Sequence, residues 1–186
     1  YCKGGSILRQ IKGFIGDDGF KNGIRLFLEK FKYDCATSQN LWEAFESASE
    51  KPVTQMMQTW IEQPGYPILS VKREGNYLNL SQKRFSYQTN DSDQVWQIPV
   101  SISVRSKNCD WQHLEVLMDA ESTSVVLDNE NDVYKINTCQ TGFYRVKYSD
   151  PEDLKKLGNE IRHQNLPPED RWGLENDLYA QVKSSD

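Results

Sequence analysis

The sequence predicts an α+β chain in three parts: helices over 1–64, an antiparallel β-sandwich over 65–149 and a return to helix over 150–186. Three observations predict it. Apolar residues recur at helical spacing up to about residue 63, then switch to a period of two as far as Tyr148. About seven short strands with turn signals between them suit a small sandwich. After Ser149-Asp150-Pro151 the helical period comes back.

The elements follow in order. Ile7, Leu8, Ile11, Phe14 and Ile15 form one stripe, and Gly16 is placed to end that helix. Asp17 and Asp18 can cap a second helix whose stripe is Phe20, Ile24, Leu28 and Phe31. A third helix opens at Thr37 or Ser38 and buries Leu41, Trp42, Phe45 and Ala48. Pro52 begins a fourth, with Val53, Met56, Met57, Trp60 and Ile61 inward, and Gln63-Pro64-Gly65 stops it. Trp42 and Trp60 are therefore expected in the core.

In the middle part, Ile68–Lys72 and Tyr77–Phe85 form a hairpin about Glu74-Gly75-Asn76. Over Val95–Val104, Trp96, Ile98, Val100, Ile102 and Val104 share one face. Gln97, Pro99, Ser101 and Ser103 occupy the other, which is expected to be solvated or at an edge. Shorter strands follow at His113–Met118, Ser124–Leu127, Tyr134–Asn137 and Phe143–Tyr148. In the last part Leu154, Leu157 and Ile161 make one stripe. Trp172, Leu174, Leu178 and Val182 make another, beyond the break at Leu166-Pro167-Pro168. Two helices are too few for a domain and read as the opening of a helical array.

Composition removes several function classes. The 186 residues carry 22 Lys+Arg against 27 Asp+Glu, a net charge of −5. With a pI near 5.2, nucleic acid is not an expected partner. No apolar run approaches the roughly 18–20 residues of a membrane span. Cys2, Cys35, Cys109 and Cys139 lack any Cys-x-x-Cys pair, and His113 and His163 lie fifty residues apart. No metal site is expected within this chain. There is neither a Gly-x-Ser-x-Gly elbow nor a phosphate-binding glycine loop. Asn79-Leu-Ser and Asn90-Asp-Ser fit the glycosylation pattern. Gln82 and Arg84 suit a solvated strand face or a partner domain. Asp170, Arg171 and Asp177 suit an ion pair or a helix cap.

Seven stretches together resemble a known family. They are Tyr1-Cys-Lys-Gly-Gly-Ser-Ile-Leu8, Asn40-Leu-Trp42, Trp60-Ile-Glu-Gln-Pro-Gly-Tyr-Pro67 and Leu78-Asn-Leu-Ser-Gln-Lys-Arg-Phe85. Trp96-Gln-Ile-Pro-Val100, Gly142-Phe-Tyr-Arg-Val-Lys-Tyr148 and Pro168-Glu-Asp-Arg171 with Asn176-Asp-Leu178 complete the set. In this order they are similar to segments of the zinc aminopeptidases of the aminopeptidase N and puromycin-sensitive aminopeptidase family. The resemblance implies that 1–64 is the helical end of a thermolysin-like catalytic domain, 65–149 the sandwich after it, and 150–186 the start of a C-terminal helical domain. It also implies that the family's His-Glu-x-x-His, its downstream Glu ligand and its Gly-x-Met-Glu-Asn motif belong upstream of Tyr1, so the chain looks like a fragment.

In that family zinc polarises the scissile carbonyl and activates a water, and a Glu takes the water's proton. A Tyr hydroxyl then donates a hydrogen bond to the oxyanion. Tyr1 matches that Tyr. Lys3 and the Gly4-Gly5 pair adjoin it, and the glycines suit either close passage of the helix start or packing. The resemblance thus implies a parent that hydrolyses N-terminal residues from peptides, with zinc held by the parent and none by this chain. The chain alone is expected to be inactive. Its partners would be peptide substrates and the remaining domains of the same protein. The nearest resemblance is to cytosolic members, and the sparse Cys pattern fits reducing conditions, so a cytoplasmic parent is expected. The alternative reading is a non-catalytic sandwich that serves as an interaction module.

Overall fold

A computed structural model describes residues 1–88, 93–107 and 109–184; the Asn90-Asp-Ser tripeptide lies outside them. The chain divides into two compact units, Tyr1–Pro64 and Gly65–Asp186.

The first unit holds three helices: α1 (Cys2–Lys30), α2 (Ser38–Ser49) and α3 (Val53–Ile61). Gly16 breaks α1 with φ 76° and ψ 170°, a conformation open to glycine because it lacks a Cβ. Before the break Ile7, Ile11, Phe14 and Ile15 are buried, as the spacing predicts. Lys51 closes this half by donating to the Phe14 carbonyl and covering the Phe14 ring. After the break the expected stripe fails at Leu28, which is 61% exposed. Contact with α2 is made by Phe20, stacked on Phe45 at 4.9 Å between ring centroids, and by buried Gly23. Helix α2 starts with a capping box. The Asn40 N–H donates to Thr37 Oγ1, and the Thr37 N–H donates to Asn40 Oδ1. Trp42, Phe45, Met56, Met57 and Trp60 are buried.

The second unit is built on two sheets. One runs β5 (Ser122–Val126), β2 (Tyr77–Arg84), β1 (Pro67–Glu74), β7 (Arg145–Tyr148). The other runs β4 (Gln112–Met118), β3 (Ile98–Arg105), β6 (Val133–Ile136). Gly75, with φ 61°, is the first of the two residues linking β1 to β2, where a tight hairpin favours glycine. The expectation of a wholly antiparallel sandwich is corrected at one place: β7 lies parallel to β1. The chain leaves β6 in the other sheet, turns through a 3-10 segment at Thr138–Gln140 and enters beside β1 in the same direction. The intervening strands supply the long connection that a parallel pair needs.

Side chains tie the sheets together. Gln82 is buried; its Nε2 donates to the carbonyls of Trp96 and Ala120, both at 2.8 Å, and its Oε1 accepts the Trp96 N–H at 2.9 Å. It is neither a solvated residue nor a domain contact but an internal clip. The Tyr148 hydroxyl on β7 accepts the Ile136 N–H of β6 at 2.9 Å. The polar face of β3 is likewise not solvated throughout. Ser103 is buried and shares hydrogen bonds with His113 Nδ1 at 3.1 Å and Thr138 Oγ1 at 2.8 Å. This follows from β3 being the central strand of its sheet. Pro99 is tolerated because β6 comes alongside β3 only from Ile102 onward.

Two helices, α4 (Pro151–Arg162) and α5 (Pro168–Ser184), pack on the β6 and β7 strands. Helix α4 is anchored by Asp153, which accepts the Tyr134 hydroxyl at 2.7 Å and pairs with Arg73 at 3.1 Å. Helix α5 corrects the expected stripe. Trp172, Leu178 and Val182 face outward, while Asp170, Gly173, Leu174, Asp177, Ala180 and Gln181 are buried. The reason lies in β7. Asp177 Oδ2 accepts the Val146 N–H at 3.1 Å and Gln181 Nε2 donates to the Val146 carbonyl at 3.0 Å. The two side chains, one helical turn apart, satisfy backbone groups of an edge strand as a neighbouring strand would.

Two substitutions test this packing. A Cβ on Gly23 would lie 2.4 Å from the Phe45 ring and 3.1 Å from its Cα. Gly23→Ala should therefore lower stability by about 1–3 kcal/mol, steric strain outweighing the gain in helix propensity. The readout is the far-ultraviolet thermal midpoint, and an unchanged or higher midpoint would contradict the packing described. Gln82→Leu should cost about 2 kcal/mol or more in urea unfolding, since each orphaned buried group carries about 1–3 kcal/mol.

Candidate functional site

Tyr1 stands at the N-cap of α1. Its carbonyl accepts the Gly5 N–H at 2.9 Å, and Ser6 Oγ donates to the Cys2 carbonyl at 2.9 Å, so the first turn is fully helical. The Tyr1 side chain is entirely exposed and makes no capping bond. Lys3, Gly4 and Gly5 are exposed beside it. A Cβ on either glycine would meet nothing within 4 Å. Packing within this chain therefore does not require glycine at these positions, although each costs about 0.5–1 kcal/mol relative to alanine inside a helix. The pair leaves bare backbone beside the phenol. Buried Ile7 lies about 9 Å further along the helix and fixes the mount.

Among the described residues no group of three His, Cys, Asp or Glu could hold a metal ion. His113 is bonded to Ser103, and His163 Nδ1 lies 2.8 Å from the Asn159 carbonyl oxygen on its own helix. All four cysteines are exposed and none is in a disulfide.

A buried charged cluster lies under α5. Asp177 pairs with Arg145 at 3.1 Å and Asp170 with Lys135 at 3.6 Å, so two of the three residues singled out by sequence do form ion pairs. The third, Arg171, is half-buried in a groove of about 1010 Å³ with Ile161, Trp172, Leu178, Tyr179 and Val182. Burial pushes the Asp177 carboxyl up to about 6, against the Val146 N–H and the Arg145 charge. Burial also raises Asp170, against Lys135 and the N–H groups of Cys139 and Gln140. Lys135 is pulled below its ordinary value by burial, partly offset by Asp170 and Asp177. Shifted carboxylates of this kind can mark a catalytic pair. Here each faces its own cation and backbone donors, and the cluster joins α5 to the strands. Lys135, Arg145 and Gln181 escaped the sequence reading. The signal that could have found them is the polar row Asp170, Asp177, Gln181 at spacings of seven and four.

Asn79, in the other glycosylation tripeptide, lies within β2 between β1 and β5. Its Nδ2 donates to Glu74 at 3.1 Å and its Oδ1 accepts from Ser124 at 2.7 Å.

Comparison with known proteins bears on the whole chain. Residues 1–60 match the peptidase family M1 domain, and residues 133–186 match the ERAP1-like C-terminal domain. The probable aminopeptidase 2 of Sulfurisphaera tokodaii is 35% identical over 96% of this chain and 21% of that protein. The tricorn protease-interacting factor F2 of Thermoplasma acidophilum is 36% identical over 97% of this chain and 21% of its own length. The puromycin-sensitive aminopeptidase of Caenorhabditis elegans is 33% identical over 99% of this chain and 20% of its length. The chain thus spans about a fifth of the length of these curated relatives. With one family description matched at its first helices and a second at its last strands and helices, the chain belongs to peptidase family M1.

Proposed function

We propose that this chain is part of a zinc-dependent aminopeptidase that hydrolyses N-terminal residues from peptides, and that Tyr1 is its transition-state-stabilising residue. The observation that carries the reading is a free phenol at the head of a helix anchored by buried Ile7, Ile11 and Phe14. That phenol begins a segment resembling the family's catalytic Tyr motif. Such a hydroxyl can donate to the oxyanion formed when water adds to a peptide carbonyl. Held against the oxyanion in the complete enzyme, a donor of this kind would be worth about 2.7–4 kcal/mol in the transition state. Gly4 and Gly5 would let substrate or a neighbouring domain approach the helix start. The zinc of the parent would be held by residues outside this chain.

In this reading 1–64 ends a thermolysin-like catalytic domain, 65–149 is the sandwich and 150–186 opens a C-terminal helical domain. Supporting it, α5 turns Trp172, Tyr179 and Val182 to solvent at 63%, 67% and 80% exposure, a face that further helices of that domain would cover. The exposed cysteines, none of them in a disulfide, suit a reducing compartment, and we propose a cytoplasmic parent.

In the full-length parent, Tyr1→Phe should cut kcat about a hundredfold or more with zinc content unchanged. Normal turnover in that variant would remove Tyr1 from the mechanism. The purified chain alone should neither retain stoichiometric zinc nor release an aminoacyl dye in a chelator-sensitive manner.

A further inference from the structure

The two ends of the four-stranded sheet are treated differently. Strand β7 at one end is covered: Val146, the residue turned away from β1, has its N–H and its carbonyl taken by Asp177 and Gln181. Among the described residues of this unit, no such pair of bonds to the outer side of strand β5, at the other end, is seen. The Gln82 N–H donates to the Glu121 carbonyl and the Leu127 N–H to the Asn76 carbonyl, which fixes the phase of the ladder. Thr123 and Val125 turn their peptide groups to β2. Ser122, Ser124 and Val126 turn theirs outward, and all three residues are exposed. The edge contains no Lys, Pro or charged residue of the kind that blunts strand pairing.

We propose that the β5 edge is a docking site for an extended peptide segment that adds as a strand and carries basic residues at both ends. Its recognition follows from the flanking chemistry. Asp119 and Glu121 precede the strand, and Asp128 and Glu130 follow it; all four are exposed. Glu121 and Asp128 lie about 23 Å apart along an extended chain, so Lys or Arg about seven residues apart on the added strand would meet them. Side chains between those ends alternate. One set lies beside Ser122 and Ser124 on the outer face, which borders a groove of about 590 Å³ whose lining includes Ser70, Asn79 and Ser81 together with the paired Lys72 and Glu74. Small polar residues suit that side. The other set lies beside Thr123 and buried Val125, where β-branched apolar residues suit. The site uses no residue of the Tyr1 reading and stands or falls separately from it.

The probe is the blocked peptide Lys-Val-Thr-Val-Ser-Val-Thr-Lys, added to the 186-residue chain at low salt and followed by amide hydrogen exchange and calorimetry. Binding should slow exchange at Ser124 and Val126 at least tenfold while leaving Thr123 and Val125, already bonded to β2, unchanged. A Glu-flanked peptide with the same core should bind at least tenfold more weakly. N-methylation of alternate peptide amides should abolish binding. Ser124→Pro removes an outward N–H without touching the β2 ladder and should also abolish it. If Ser124→Pro does not fold, Glu121→Lys with Asp128→Lys takes its place and should reverse the preference between the two peptides. The proposal is overturned if the Lys-flanked peptide fails to bind at millimolar concentration. Equal binding of the two peptides, or protection appearing elsewhere than β5, would also sink it. So would concentration-dependent dimerisation of the chain through β5 in place of peptide binding.

Discussion

The second unit depends on how the β7 edge is finished. A strand of four residues with one neighbour leaves peptide groups facing away from that neighbour, and burying them unpaired would be costly. Asp177 and Gln181 satisfy those of Val146, and this sets the orientation of α5. Once Asp177 faces inward it brings its charge under the fold, and Arg145 must neutralise it. Arg145 in turn lies 5.2 Å from the Phe85 ring centroid, next to Tyr66 stacked on the same ring. Asp170, two turns before Asp177, is carried inward by the same rotation and requires Lys135. The segment Gly142-Phe-Tyr-Arg-Val-Lys-Tyr148 and the Asp170–Asp177 helix, which stand apart in sequence, are thus two halves of one arrangement.

The same constraint explains why the helix exposes its apolar residues. A helix has a limited arc to present to one surface. When polar groups that complete a sheet edge occupy that arc, Trp172, Leu178 and Val182 can only point away. Burial of the acids costs free energy that the matched cations and backbone donors offset, so the joint is specific in geometry rather than strongly adhesive. Leu174 and Ala180 add the apolar contact that α5 makes on its inner side.

Much of the fold was legible because period is a local property. The break at Gly16, the buried Ile7–Ile15 stripe, the Gly75 hairpin and the inward face of β3 follow from spacing and from which residues tolerate which backbone. What escaped depends on pairing across long separations. Gln82 reads as polar and therefore outward, yet its amide matches the Trp96 backbone, fourteen residues on. The direction of β7 depends on where the chain re-enters the sheet, which no local pattern reports. The stripe on α5 was read by hydrophobicity, and there the edge-satisfying polar residues decide. The candidate site was legible only through motif. Tyr1 carries no distinctive local signature, and its place at an exposed helix head acquires meaning from the segment that follows it.

The kink in α1 has a mechanical consequence. Because Gly16 takes φ 76° and ψ 170°, the two halves of the helix share no common screw. The half bearing Tyr1 is registered by Ile7, Ile11 and Phe14 and is tied off by Lys51 on the Phe14 carbonyl. Beyond the break, Phe20 and Gly23 meet α2 through a helix axis of their own. The bend lets the two stretches follow separate axes, so that each meets its own partners.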